Sequence, residues 1–345
     1  MTRPWKVLPI DDWPHADQVA WTTLLRDGDI LDGRGAGAHW SPATRKMLHN
    51  HYAGWLGWLQ AHNQLDAKAL PEDRVTEAAV TSYARELMKH VAPVTTSSKL
   101  RDLKVVAKAM APERNWRWLM DLTNRLKAWA KPSRVRPSPD ISAPEMFRSA
   151  LQELERLKQG AFSKRRQHLA YRDTLLVAML ICSPVRLKNI AMIQKGDHLQ
   201  QHGQEWVLSF KGEEMKNRQP LRLVLHDQVV PYLTFYLETV RPLLPGAGTG
   251  NHLWPANKGQ PMAHPSIYDR VRKTTTRLFG TTLSPHDFRS VAATFLAETS
   301  PEDALLARPL LGHRNLATTE TYYVTANQLR ASKKVNEALK RIRRE

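Results

Sequence analysis

The chain has a single cysteine in 345 residues and no uninterrupted apolar run longer than eight. Cys182 alone excludes a disulfide framework and cannot supply the paired thiolates of a zinc finger. The longest run, Leu175 to Cys182, is less than half of the ~20 residues that a membrane-spanning helix needs, so no span and no membrane partner are expected. No apolar stretch of signal-peptide type stands behind the charges of Met1-Thr-Arg-Pro-Trp5, and a cytoplasmic location is expected. Acidic residues are in deficit too: 33 Asp and Glu face 51 Lys and Arg, a net charge of +18. That balance disfavours an ordinary metabolic enzyme and favours a polyanionic partner, nucleic acid before an anionic membrane surface. GxxxxGK[ST] and HExxH are both missing, which removes the usual signatures of nucleotide hydrolysis and zinc proteolysis.

What is there suffices for a core, since 42% of the residues are hydrophobic and 24% charged, and the length suggests two domains. The charge is unevenly spread: residues 1–92 sum to −1, residues 93–140 to +7 and residues 141–345 to +12. A composition break falls inside the basic region. Lys131-Pro-Ser-Arg-Val-Arg-Pro-Ser-Pro-Asp140 has too much proline for a helix interior and reads as an extended, basic linker. The expected organisation is a helical domain over 1–130, a linker over 131–141 and a second domain over 142–345 with a basic C-terminal helix.

Upstream of the linker, Tyr52, Trp55, Leu56 and Leu59 form one apolar stripe at spacings of three and four. Val75 to Met88 and Leu100 to Met110 repeat the pattern, and Leu119, Leu122 and Trp129 supply a last helix. No alternating strand pattern appears there, so a small helical bundle with core tryptophans is expected. Gly33-Arg-Gly-Ala-Gly-Ala38 follows no strand and opens no helix, and reads as a mobile loop rather than a dinucleotide fingerprint. Downstream, Ser142-Ala-Pro-Glu145 is a capping box that starts a helix through about Leu157. A buried helix over Tyr171 to Cys182 breaks at Ser183-Pro184. Trp206–Phe210 and Leu221–Leu225 suggest a hairpin. Helices are expected over Val229–Val240, Ser266–Leu278, Ser284–Glu298 and Gln328–Arg344. The fold class is mainly α with a small β-sheet or hairpin.

Four features carry chemistry. His286-Asp-Phe-Arg289 is the chain's only HxxR, and a helix begun by Ser284-Pro285 presents both side chains on one face. Leu311-Gly-His313 is followed nine positions later by Tyr322, with Gly312 able to stop a helix and expose the histidine. Arg186 stands just after the break at the end of the most apolar helix. Lys211 and Lys216 lie between the two β-prone segments. Taken singly, each suits a solvated helix start, a capped turn or an exposed hairpin tip. Together they suit attack on a phosphodiester, with arginines forking onto the non-bridging oxygens, His313 adding a hydrogen bond, a tyrosine as nucleophile and a lysine protonating the leaving oxygen. A tyrosine of ordinary pKa, about 10, is ionised to only about one part in a thousand at pH 7, so it needs that cationic field or a nearby base.

The ordered set of Arg186, Lys216, His286, Arg289, His313 and Tyr322 resembles the tyrosine recombinases, the phage-integrase family of site-specific DNA recombinases. The resemblance implies an all-helical core-binding domain and an α+β catalytic domain. It implies DNA strand breakage and rejoining through a 3′-phosphotyrosyl intermediate on Tyr322, with no metal and no cofactor. It further implies double-stranded DNA carrying recombination sites as substrate, a homo-tetramer on that DNA, accessory DNA-bending or directionality factors, a mobile genetic element and a nucleoid-associated protein. Lys99, Arg101, Lys104, Lys131, Arg134 and Arg136 are the expected DNA-binding bases of the late N-terminal helices and linker. Two departures stand out: the family usually places Thr-Gly before the arginine region and an acidic residue three positions after it, whereas this chain has Cys182-Ser-Pro-Val-Arg186 and Asn189. Lys211 is a rival for the lysine role and Tyr323 for the nucleophile. Relaxation of the type IB topoisomerase kind and catalytically silent DNA binding are the alternatives.

Overall fold

The computed structural model describes residues 5–299 apart from 30, 32, 131–140, 161–164 and 257–258. The chain divides into two compact units, Met1–Arg136 and Pro137–Glu345.

Among its described residues the first unit has helices and no strand: α1 His15–Leu25, α2 Pro42–Ala61, α3 Pro71–Arg74, α4 Glu77–His90, α5 Pro93–Met110 and α6 Arg117–Trp129. Helix starts follow local chemistry. Ser41 accepts from Thr44 N–H with Pro42 in the first turn, and Thr76 accepts from Ala79 N–H. The expected stripe on α2 is buried, and so are Ala53, Gly54, Gly57 and Trp58, because neighbours cover residues 52–59 on all sides. A side chain at Gly57 would meet the Lys6 carbonyl at 1.9 Å, so only glycine lets residues 5–8 lie across this helix, where Leu8 N–H bonds Ala53 O. Tryptophans 5, 13, 21, 55, 58 and 116 are core residues. A buried polar bolt joins three helices: Asp17 accepts from Tyr52 Oη at 2.6 Å and pairs with Arg74, whose guanidinium also donates to the carbonyls of Asp66 and Ala69.

Two details differ from the sequence reading. The helix expected over Val75–Met88 is interrupted at Val75, and Thr76 caps a new start at Glu77. The glycine stretch is packed: Gly35 N–H bonds Arg26 O and Gly37 N–H bonds Leu24 O, closing the end of α1, and a side chain at Gly35 would meet the Leu24 carbonyl at 2.4 Å.

The second unit contains α7 Ala143–Lys158, α8 Arg165–Cys182, α9 Leu187–Met192, α10 Val230–Phe235, α11 His264–Phe279 and α12 Asp287–Thr299. The Ser142/Glu145 capping box is formed in both directions. Three strands, β1 Leu199–His202, β2 Glu205–Phe210 and β3 Leu221–Val224, pair antiparallel in the order β1-β2-β3, with Leu199 opposite Leu208 and Leu208 opposite Leu223. The hairpin is therefore the inner and one outer strand of a small sheet. Helix α8 is the centre: Leu175 to Leu180 are all buried, each of the leucine, valine and methionine side chains among them contributing ~1.5–3 kcal/mol, and α7, α11 and α12 pack on it. The helix expected over Val229–Val240 is regular only to Phe235; a π turn over Tyr236–Val240 and a 3₁₀ turn over Arg241–Leu243 follow. Cys182 is half-buried at the end of α8, where its thiol donates to Ala178 O and burial pushes its pKa up.

Candidate active site

The break after α8 is built to deliver Arg186. Ser183 N–H closes the helix on Met179 O, and Val185 N–H turns back to Ser183 O at 2.7 Å. Pro184 prevents the helix from continuing. Val185 is buried, and Arg186 becomes the residue before α9, with its own carbonyl accepting from Ile190 N–H. Its side chain is half-buried, and that burial lowers its pKa. An arginine stays cationic in proteins all the same, so the site keeps the charge.

The HxxR segment is positioned from two sides. Before it, Thr275 on α11 accepts from Leu283 N–H at 2.9 Å and donates to Leu283 O at 3.3 Å, which seats the turn into the next helix. Ser284 then donates through both its backbone N–H and its hydroxyl to one Asp287 oxygen, each at 2.7 Å. After it, Phe288 is 1% exposed and anchors α12 in the core. His286 is exposed at the helix start and Arg289 is buried, with Arg289 N–H on His286 O. A hydrogen bond joins the two segments: Arg289 Nη1 donates to Pro184 O at 2.7 Å across 105 positions of sequence. The carbonyl that holds Arg289 is two residues from Arg186, so both arginines belong to one local structure.

The lysine loop is attached to the same place. Residues 211–220 join β2 to β3 through a 3₁₀ turn over Gly212–Glu214. Asn189, 1% exposed on α9, donates to Met215 Sδ at 3.2 Å and to Glu214 O at 3.5 Å. Helix α9 thus follows directly on Arg186 and holds, through Asn189, the residue before Lys216. Here an amide replaces the family's acidic residue, and it reaches a thioether and a carbonyl, both acceptors that a carboxylate could not use. Lys216 and Lys211 are both exposed. His313, Tyr322 and Tyr323 lie outside the described residues.

Of the expected DNA-binding residues, Lys99 is buried on the inner side of α5, Arg101 is exposed and forks its guanidinium onto Asp102, and Lys104 is half-exposed. Lys131, Arg134 and Arg136 lie outside the described residues. Burial opposes ionisation of Asp102, but hydrogen bonds from His51 and Arg101 outweigh it and hold the carboxyl below its usual range. A basic surface that the sequence reading did not single out lies on α11. Arg270, Lys273 and Arg277 are exposed on one side of the helix and Arg272 on another; Arg270 approaches Asp173 at 3.6 Å, Arg277 pairs with Glu153, and Arg272 lies over the Tyr268 ring. The four bases in eight residues were the available signal. Among the described residues no three His, Cys, Asp or Glu side chains cluster as a metal site, and no helix is long and apolar enough to cross a membrane.

Comparisons with known proteins bear on the family and the fold. Tyrosine recombinase XerD of Staphylococcus aureus strain Mu50 is 27% identical over 162 residues, covering 46% of this chain and 52% of that protein. XerD of Staphylococcus saprophyticus is 28% identical over the same length and coverage. The chain thus spans about half the length of the curated relatives it matches. Among solved structures, the Tn1549 transposon integrase in complex with transposon right end DNA superposes with a TM-score of 0.56 at 12% identity over 92% of this chain and 98% of that one. The XerH recombinase bound to its difH substrate gives 0.54 at 15% identity, over 81% and 76% of the two chains. At such identities these likenesses concern the fold. Residues 150–329, just over half of the chain and the stretch containing both arginines, the lysine loop and the HxxR segment, match the phage integrase family, and the chain belongs to that family.

Proposed function

We propose that the protein is a site-specific DNA recombinase of the integrase type, cutting and rejoining strands through a 3′-phosphotyrosyl intermediate. The observation that carries the reading is the Arg289 to Pro184 hydrogen bond, because it joins the HxxR segment to the segment bearing Arg186. Two guanidiniums so linked suit the non-bridging oxygens of one phosphate. In the proposed step, Tyr322 Oη attacks the scissile phosphorus and the bond from phosphorus to O5′ breaks. The leaving O5′ takes a proton from Lys216 Nζ. The phenol proton passes to a base, for which exposed His286 is suited, since imidazole is the side chain that takes up protons near neutral pH. His313 adds a hydrogen bond to the phosphate. Attack by the 5′-hydroxyl of a partner strand on the phosphotyrosyl bond restores the phenol and the phosphodiester. Bond energy is kept in the intermediate.

The partner is double-stranded DNA carrying recombination sites. A homo-tetramer, accessory bending or directionality factors, a mobile-element origin and a nucleoid location in the cytoplasm belong to the same reading. So does a division of labour in which residues 1–130 grip DNA and residues 142–345 cut it. Arg101, Lys104 and the basic face of α11 suit contacts to the phosphate backbone.

Nicked duplexes taken from the repeats flanking the gene test the reading. A denaturation-resistant protein–DNA adduct that vanishes in Tyr322→Phe, with strand exchange between paired sites, is the expected result. Relaxation of any supercoiled DNA without exchange would point to topoisomerase activity. Tight binding without an adduct would point to a silent site.

A further inference from the structure

The loop that carries Lys216 is fastened at its root by a pair that belongs to no expected motif. Glu214 Oε1 lies 3.0 Å from His198 Nε2, and Glu214 Oε2 accepts from Lys211 N–H at 2.6 Å. Gln194 N–H donates to His198 Nδ1 at 3.2 Å, so Nδ1 is the acceptor and the ring proton sits on Nε2, aimed at the carboxylate. An imidazole engaged at both nitrogens in opposite senses has one orientation. It is also well seated: His198 is 8% exposed, its ring lies against Phe210, and its backbone is bonded to Gln194 O and Ser209 N–H.

The rest of the loop closes around this point. Met215 is buried, and Asn189 reaches Met215 Sδ and Glu214 O. Arg218 takes a left-handed conformation, φ 57°, with its N–H on Met215 O; its own carbonyl packs where a side chain at Gly212 would stand, 2.7 Å away. A non-glycine residue held at positive φ beside a candidate catalytic group is strain sustained by its surroundings. Burial opposes ionisation of Glu214, but the bonds from His198 and Lys211 outweigh it, so the acceptor is a carboxylate.

We propose that His198 and Glu214 are positioning residues for Lys216, their hydrogen bond fixing the loop so that the lysine ammonium meets the leaving O5′. This rests on the reading of Lys216 as the proton donor. A displacement of about 1 Å at such a donor costs on the order of 10²-fold in rate, so the latch is visible in kinetics even where the fold is unchanged.

The test uses the full chain and a duplex whose scissile O5′ is replaced by sulfur, since a thiolate leaves without a proton. In single-turnover cleavage of the oxygen substrate, Glu214→Ala and His198→Ala lose about 10- to 100-fold, and on the sulfur substrate they return to within about threefold of the parent. Lys216→Ala behaves the same way, and adding Glu214→Ala to it costs nothing more. His198→Gln, whose amide can still donate to Glu214, keeps most of the rate. Equal losses on both substrates, or none, overturn the inference while leaving Lys216 as donor. A Lys216→Ala defect that sulfur does not relieve overturns the donor reading and the latch with it.

Discussion

Arg289 and Lys216 are presented by neighbouring segments of one unit, and they are held by opposite means. Arg289 leaves a helix whose adjacent Phe288 is locked in the core, and its guanidinium donates to a carbonyl in a buried setting. Lys216 leaves a surface loop fixed by polar bonds to His198, Asn189 and its own backbone. The difference matches the two proposed tasks. A charge that stabilises a phosphate works best when it cannot move, because no reorganisation is then needed during reaction. A proton donor must approach one oxygen and withdraw, which an exposed lysine on a latched root can do.

The contrast can be broken by substitution. Phe288→Ala empties a core site and is expected to cost about 3–5 kcal/mol of stability, read as a fall in the denaturant midpoint; a small loss would mean that packing does not hold the HxxR helix. Arg289→Lys keeps a charge but loses the fork: cleavage should drop on the order of 10²–10³-fold, or about 2.7–4 kcal/mol, and the weakened hold on the buried Pro184 carbonyl should cost about 1–3 kcal/mol of stability, less than Phe288→Ala. Asn189→Ala strands the Glu214 carbonyl and should cost about 1–3 kcal/mol by denaturant titration, less than Phe288→Ala. Ser284→Ala removes one hydroxyl donor to Asp287 and should cost about 1 kcal/mol. The smallest effect is electrostatic. The Glu214 carboxyl is held below its usual range, so its contribution is complete above the ordinary glutamate pKa of about 4.3 and fades as pH falls through the lowered folded value. Melting curves of Glu214→Gln should lie slightly below those of the parent at neutral pH and converge on them as the pH falls through the lowered value.

The sequence reveals these segments unequally, for physical reasons. Ser142 with Glu145, and the stripe Tyr52, Trp55, Leu56 and Leu59, are local patterns, and both elements stand where the pattern puts them. Strand β1 has only Leu199 as an apolar residue, so it carries no alternation and depends on pairing with β2. The Arg289 to Pro184 bond spans 105 positions and ends on a main-chain atom, which no side-chain motif encodes. His198 and Glu214 look like ordinary surface residues until the sheet brings them together. Charge alone points Lys99 outward, but it neighbours Leu100 and follows Thr96 by three, so α5 carries it inward with the apolar stripe.

That main-chain acceptor has a consequence for how the site can vary. Any residue at position 184 offers a carbonyl, so no change of side chain there deletes the partner of Arg289 directly. The joint fails only if the arginine is lost or if the backbone between α8 and α9 takes another path. Variants that loosen or rescue the pairing of the two arginines should therefore collect among residues that bend the chain at 183–186, such as substitutions of Pro184 itself, rather than among residues that carry charge.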